Sequence, residues 1–179
     1  MILYLPFSYT DNVSFVEVFF MKKINWPKML LCIALCEGTG LLSALLSRGQ
    51  REFYKSLVLP PLALPGILFP IVWVVLYALM GIAFYFVLTS ARGSYSDHKS
   101  AVTYFLLQLF VNFSWSIIFF RFEALLIAAL AIILLDLLVV IAMMMFRLIN
   151  KLSFWLLIPY LLWILFATYL NIGIVILNS

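Results

Sequence analysis

Long apolar stretches alternate with short polar ones along most of this chain. Five of them hold enough consecutive apolar residues for a helix that crosses a bilayer, which takes roughly 20. They lie at about 29–47, 64–90, 101–120, 124–146 and 153–177. The pattern therefore predicts an all-α membrane protein, a bundle of five transmembrane helices.

The connections between the predicted spans differ in character. Three are short and polar, at 91–100, 121–123 and 147–152. The first, 48–63, is longer and half apolar, and its Pro60-Pro61 pair stiffens it towards an extended conformation. We expect this connection to lie like a lid over one mouth of the bundle.

The residues before the first span form a separate predicted segment. They include Asp11 and Glu17 and lack the basic start and unbroken apolar run of a signal peptide. We therefore assign residues 1–25 to an N-terminal extension, of which 1–20 are expected to be dispensable to the fold. Residues 26–179 form the single five-helix domain.

Composition places the chain in a membrane. Hydrophobic residues make up 67% of the 179 residues and charged ones 10%, whereas soluble domains are about half apolar and a quarter charged. The formal net charge of +4 comes from residues that flank the spans, so no nucleic-acid partner is expected. More basic residues flank the spans on the N-terminal side than on the other. The positive-inside rule then predicts a cytoplasmic N-terminus in a bacterial-type inner membrane.

Three predicted spans carry an aromatic stripe with a tryptophan on one helical face, because residues three, four or seven apart share a face. The stripes are Trp73, Tyr77, Met80 and Phe84 in the second span, Asn112, Trp115 and Phe119 in the third, and Tyr160, Trp163, Ala167 and Leu170 in the fifth. One stripe alone is typical of packing, but three of the same kind favour a shared aromatic cavity. Pro159 removes a helix hydrogen bond, so we expect a kink in the fifth span.

Two carboxylates lie near the middle of predicted spans, Glu37 in the first and Asp136 in the fourth. A carboxylate at the bilayer centre costs roughly 2.5–3.5 kcal/mol on insertion scales. Each is expected to face the bundle interior, to be neutralised by protonation or to meet a hydrogen-bond donor. Its role is then either a polar contact of a ligand pocket or an interhelical hydrogen bond. Cys32 and Cys36 share a face but lack a third ligand, so we interpret them as apolar fillers and expect no metal site.

Four spans carry sequence motifs in a fixed order. The second span reads F-x-x-V-W-x-x-L-Y-x-x-M-G at 69–81, and the third reads N-x-x-W-x-x-x-F-F at 112–120. The fourth carries Asp136, and the fifth reads P-Y-x-x-W-x-x-x-A-T-x-L-N at 159–171. In this order and spacing, the motifs resemble the TspO/MBR family, which includes the translocator protein, the tryptophan-rich sensory proteins and the peripheral-type benzodiazepine receptor. The resemblance covers about residues 26–177.

The resemblance implies a sensor or regulator that binds porphyrins, such as protoporphyrin IX and haem, and similar flat hydrophobic ligands inside the bundle, with no cofactor required. It also implies a homodimer in many members, for which Gly40 with Ala44, or Ala124 with Ala128, are candidate small-residue contacts. The residues expected to contact the ligand are Trp73, Tyr77, Asn112, Trp115, Phe119, Tyr160, Trp163, Ala167 and Leu170.

Two other functions stay open: an enzyme that degrades porphyrin in light, and a transporter of tetrapyrroles or other small hydrophobic molecules. The first connection departs from the family's K-P-S-W-x-P-P-x-W, because Leu62 and Ile67 replace its two tryptophans. The tryptophan position that Leu62 occupies is tied to porphyrin degradation in the family, so the resemblance favours binding, and no catalytic residue is assigned.

No charged path crosses the spans beyond Glu37 and Asp136, which counts against transport. The tail after Leu170 lacks the Tyr and basic residue of the animal cholesterol motif.

Overall fold

The computed structural model describes residues 24–47 and 50–178, and every regular element in them is helical. The elements are α1 (Trp26–Leu46), α2 (Gln50–Ser56), α3 (Leu68–Leu88), α4 (Tyr95–Ser116) continued by a π-helix (Ile117–Arg121), α5 (Leu125–Ile149), α6 (Lys151–Leu156) and α7 (Ile158–Asn178). Five segments of this part are long and apolar enough to cross a membrane, which confirms the predicted five-helix membrane fold. They are α1, α3, α4 with the π-helix, α5, and α6 with α7. Residues 1–23 of the predicted extension lie outside the described residues.

The five spans close into a ring around one core. α1 packs against α3 and α4, α4 against α5, α5 against α7, and α3 against α6. The stacked rings of Phe84, Phe105 and Phe146 join α3, α4 and α5, with centroids 4.3 and 5.5 Å apart. Because lipid tails are as apolar as these side chains, tight packing rather than escape from water holds such a bundle together.

The helices α1, α4 and α6 begin where polar side chains cap their first backbone N–H groups, and apolarity alone does not locate such caps. α4 begins at Tyr95, within the polar stretch predicted as a connection, because Ser94 and Asp97 form a capping box. The Ser94 hydroxyl accepts from Asp97 N at 3.2 Å, and the Asp97 carboxylate accepts from Ser94 N at 2.7 Å. α1 likewise begins at Trp26, because the Asn25 side chain accepts from Lys28 N.

Ser94→Ala should shorten α4 at this end. The substitution removes the acceptor for Asp97 N, and loss of such a cap should lower Tm by about 3 °C for a protein of this size. Thermal unfolding of the detergent-solubilised protein measures the shift. Ser96→Ala is the matched control, because Ser96 is exposed and is not the cap residue. Equal Tm values for the two variants would contradict the assigned cap.

The fifth span is interrupted, as Pro159 predicts. α6 ends at Leu156 and α7 begins at Ile158, so Leu157 breaks the helix two residues before the proline. The predicted turn at 147–152 shrinks to Asn150 alone, whose Oδ1 accepts from Leu152 N at 2.9 Å and from Ser153 N at 3.3 Å. Asn150 therefore separates the two helices: its backbone N–H donates to Phe146 O at the end of α5, and its side chain caps the start of α6.

Small residues let helices approach closely inside the chain. A Cβ on Gly81 would lie 2.8 Å from Ile33 N, so α3 meets the backbone of α1 at this point. A Cβ on Gly40 would overlap the Tyr77 ring, and Ala128 is fully buried. Gly40 and Ala128, named above as candidate dimer contacts, thus pack within one chain, and dimerisation stays a prediction.

Candidate functional site

Four side chains form a continuous hydrogen-bonded chain across the middle of the bundle, here called the central network. The Tyr77 hydroxyl donates to Asn112 Oδ1 at 3.0 Å, and Asn112 Nδ2 donates to the Tyr160 hydroxyl at 2.8 Å. The Tyr160 hydroxyl in turn donates to Gln108 Oε1 at 2.9 Å. All four side chains are buried, so the network joins α3, α4 and α7 in a place where unpaired polar groups are costly.

Trp73 lies beside this network and extends it with aromatic surface. Its ring stacks on Tyr77 with centroids 5.3 Å apart and meets the edge of Tyr160 at 6.2 Å. Trp73 itself is only partly buried. The site therefore combines flat aromatic faces with an amide that both donates and accepts hydrogen bonds.

A second group of rings, here called the loop-side cluster, lies where α2 and the start of α3 meet the bundle. Neighbouring rings within it have centroids 5.5 to 5.9 Å apart. The contacting pairs are Trp115–Phe119, Phe53–Phe119, Tyr54–Phe69 and Phe69–Trp163. Through this cluster, the rings of α2 are in contact with a chain of rings that leads to Trp115 on α4 and Trp163 on α7.

Tyr54 holds the end of the first connection by a hydrogen bond. Its hydroxyl donates to the Leu64 carbonyl at 3.3 Å, so the side chain of α2 binds the backbone that leads into α3. Burial raises the pKa of Tyr54 above its ordinary value, so the phenol stays a hydrogen-bond donor. The connection is thus more ordered than predicted, since it also contains the short helix α2.

The rest of this connection lies along the C-terminal half of α7. Asn178 accepts from Val58 N at 2.9 Å and donates to Val58 O at 2.9 Å. The Tyr169 hydroxyl donates to Pro61 O at 2.8 Å, and Pro60 lies so close to Gly173 that a Cβ there would be 2.7 Å from the proline ring. These contacts place the segment against the bundle, while its action as a lid stays a prediction.

Tyr169→Phe should loosen this segment. The change removes one hydrogen bond to Pro61 O and keeps the ring, so the local opening equilibrium should rise about fivefold for a bond worth about 1 kcal/mol. Hydrogen–deuterium exchange of peptides covering residues 57–66 measures the opening. Tyr95→Phe, an exposed tyrosine at the start of α4, is the control. Unchanged exchange at 57–66 would show that the bond does not hold the segment.

Leu62, which stands where the resemblance places a tryptophan, has an unusual backbone. Its φ is +67°, and Ala63 N donates to Pro60 O at 3.3 Å across a tight turn. A proline followed by a residue with positive φ is typical of a type II turn, in which glycine or asparagine is favoured at the third residue, here Leu62. The Leu62 side chain is 79% exposed, so it contributes nothing to the aromatic packing.

The structure brings most of the predicted ligand residues together in two adjoining groups. Trp73, Tyr77, Asn112 and Tyr160 form or flank the central network, and Trp115, Phe119 and Trp163 belong to the loop-side cluster. Ala167 and Leu170 are buried on α7. Ligand contact by these residues stays a prediction.

The two membrane carboxylates have different surroundings. Asp136 accepts from the Thr168 hydroxyl at 2.8 Å, so it links α5 to α7 by the interhelical bond expected as one alternative. Its other oxygen is buried without a hydrogen-bond partner among the described residues. Glu37 is partly buried on α1 and takes no part in the central network.

Two amides of this region were not predicted as site residues. Gln108 lies one helical turn before Asn112, so the spacing of two amides on one face was the available signal. Asn171 lies one turn after Ala167 on the stripe of the fifth span, and its Oδ1 accepts from Trp115 Nε1 at 3.0 Å. Both extend the polar set beyond Asn112.

Comparison with known proteins decides the family. The model of the TspO/MBR family matches residues 32–177. The chain belongs to the TspO/MBR family. It is 36% identical to the tryptophan-rich protein TspO of Chlorobaculum tepidum over 151 residues, which cover 84% of this chain and 95% of that protein.

Two other relatives have similar sequence identity to this chain. A tryptophan-rich protein TspO of Archaeoglobus fulgidus is 36% identical over 133 residues, 74% of this chain and 84% of that protein. The protein CrtK of Rhodobacter capsulatus is 32% identical over 146 residues, 80% of this chain and 88% of that protein. The family and its five spans establish a multi-pass integral membrane protein.

Proposed function

We propose that this TspO/MBR family member binds porphyrins, including protoporphyrin IX and haem, within the bundle and acts as a sensor or regulator. The observation that carries the proposal is the meeting of Trp73, Tyr77 and Tyr160 around the Asn112 amide. Flat aromatic ligands need such stacking faces and a polar group that fixes their orientation.

The expected affinity follows from what a ligand gains on leaving lipid. Because lipid tails are already apolar, burial alone contributes little, and stacking and hydrogen bonds must provide the discrimination. Each aromatic contact contributes about 0.5–1.5 kcal/mol beyond area. A few such contacts with one polar anchor are consistent with a Kd of the order of micromolar.

A dark titration of the detergent-solubilised protein with protoporphyrin IX, followed by its Soret absorbance, tests the proposal. We expect saturable binding and a Kd about tenfold higher in Trp163→Leu, because the variant loses an aromatic face on which the porphyrin ring is proposed to stack. Trp155→Leu is the control, since that ring is 65% exposed in α6. Absence of saturable binding, or equal effects of both variants, would refute the proposal.

Illumination of the saturated complex separates binding from degradation. An unchanged porphyrin spectrum after light supports the sensor, whereas loss of the porphyrin bands that Trp163→Phe abolishes would support the enzyme. Ligand-dependent porphyrin flux across protein-containing liposomes would instead support a transporter.

A further inference from the structure

We propose that the side-chain amide of Asn171 is a further ligand contact, which selects flat aromatic molecules that carry a carbonyl or carboxylate oxygen at their edge. The inference rests on the proposed function and adds to it the chemistry of the ligand's rim. Asn171 is only 1% exposed, although asparagine seldom lies fully buried inside a membrane helix.

The orientation of this amide follows from its one partner. Trp115 Nε1 lies 3.0 Å from Asn171 Oδ1, and an indole nitrogen can only donate a hydrogen bond. The amide oxygen must therefore face Trp115, and the amide nitrogen must lie on the other side of the group. Exchanging the two amide atoms would set two donors against each other, so the assignment has one solution.

The amide nitrogen of Asn171 is left as a buried donor. Within residues 24–47 and 50–178, Nδ2 has no hydrogen-bond acceptor. Most buried polar groups in proteins are hydrogen-bonded, so each exception calls for an explanation. Trp163 Nε1, on the same helix, is a second buried donor that has no hydrogen-bond acceptor among the described residues. Two unpaired donors on α7 favour a ligand that supplies acceptors.

The surroundings of Asn171 fit an aromatic ligand with a polar edge. Its partner Trp115 stacks on Phe119 in the loop-side cluster, with ring centroids 5.5 Å apart. The amide thus lies next to the aromatic rings of this cluster. A ring held against those aromatic faces would bring a substituent on its rim towards this donor.

Two porphyrins with the same ring test this chemistry. Protoporphyrin IX carries two propionate groups on its rim, whereas octaethylporphyrin carries only ethyl groups. Dark Soret titrations of the wild-type protein and Asn171→Leu with each porphyrin give four dissociation constants. We expect the Kd for protoporphyrin IX to rise about tenfold in the variant, with the Kd for octaethylporphyrin unchanged.

The other outcomes separate this inference from the proposed function. An unchanged Kd for protoporphyrin IX, or an equal rise for both porphyrins, would overturn the role of Asn171 and leave porphyrin binding intact. If neither porphyrin binds the wild-type protein saturably, both proposals fail.

A second measurement does not depend on the stability of Asn171→Leu. In wild-type protein labelled with ¹⁵N-asparagine, the side-chain NH₂ signals of Asn171 can be assigned by their loss in Asn171→Gln. We expect protoporphyrin IX to move these signals and octaethylporphyrin to leave them in place. Signals that stay unmoved at saturation with protoporphyrin IX would overturn the contact.

Discussion

Gly81→Ala should destabilise the bundle by about 3 kcal/mol, the upper part of the range for overpacked sites. The added Cβ would lie 2.8 Å from Ile33 N and 2.9 Å from Cys32 O, so it would meet backbone atoms that cannot rotate away. The helices α1 and α3 would have to separate. For a protein of this size, we expect Tm to fall by about 10 °C.

The chain provides its own probe and control for this measurement. Cys32 and Cys36 are its two cysteines and both are buried, so a thiol-reactive dye reports unfolding of α1 directly. Gly38→Ala on α1 is the matched control, because its Cβ would have no atom within 4 Å and alanine favours a helix. A Tm for Gly81→Ala equal to that of Gly38→Ala would contradict the close approach of α1 and α3.

Asn112→Leu should have the largest effect of any change in the central network, about 2 kcal/mol of stability. Asn112 is 2% exposed and bonds to both Tyr77 and Tyr160. Without its amide, the Tyr77 hydroxyl is left buried without its acceptor, whereas Tyr160 keeps Gln108. Thermal unfolding and the dark protoporphyrin IX titration, measured on the same preparation, should both show a loss.

A double variant tests whether this cost comes from the orphaned hydroxyl. Tyr77→Phe removes that hydroxyl, so the double variant Tyr77→Phe/Asn112→Leu should be no less stable than Asn112→Leu alone. Replacing both partners of a buried hydrogen bond by apolar groups is often close to neutral. Additive losses would mean that the two residues act independently.

The sequence predicts the spans well because bilayer thickness sets their length and because charges cannot remain in hydrocarbon. It predicts their ends less well. Ser94 moves the start of α4 into a polar stretch, since a cap depends on local hydrogen bonds rather than on apolarity. The helix α2 is too short to show a clear helical period of apolar residues, so the sequence predicts a loop for residues 48–63.

Helical spacing also predicts which aromatic side chains turn inwards, and Tyr77, Phe119 and Tyr160 are buried as expected. It does not predict partners between helices. The bond from Trp115 to Asn171 and the contact of Pro60 with Gly173 depend on how α4, α7 and the first connection pack together. Such pairings join residues far apart in sequence, and a single sequence contains no local signal for them.

The position of a bound porphyrin tests the account most directly. In protein labelled with fluorotryptophan, ¹⁹F signals can be assigned by single Trp→Phe changes, and haemin, which is paramagnetic, should broaden those close to it. We predict loss of the Trp73, Trp115 and Trp163 signals and persistence of the signal of Trp26, the exposed first residue of α1. Zinc protoporphyrin IX is the diamagnetic control. Broadening of Trp26 with the three inner tryptophans unaffected would contradict binding within the bundle.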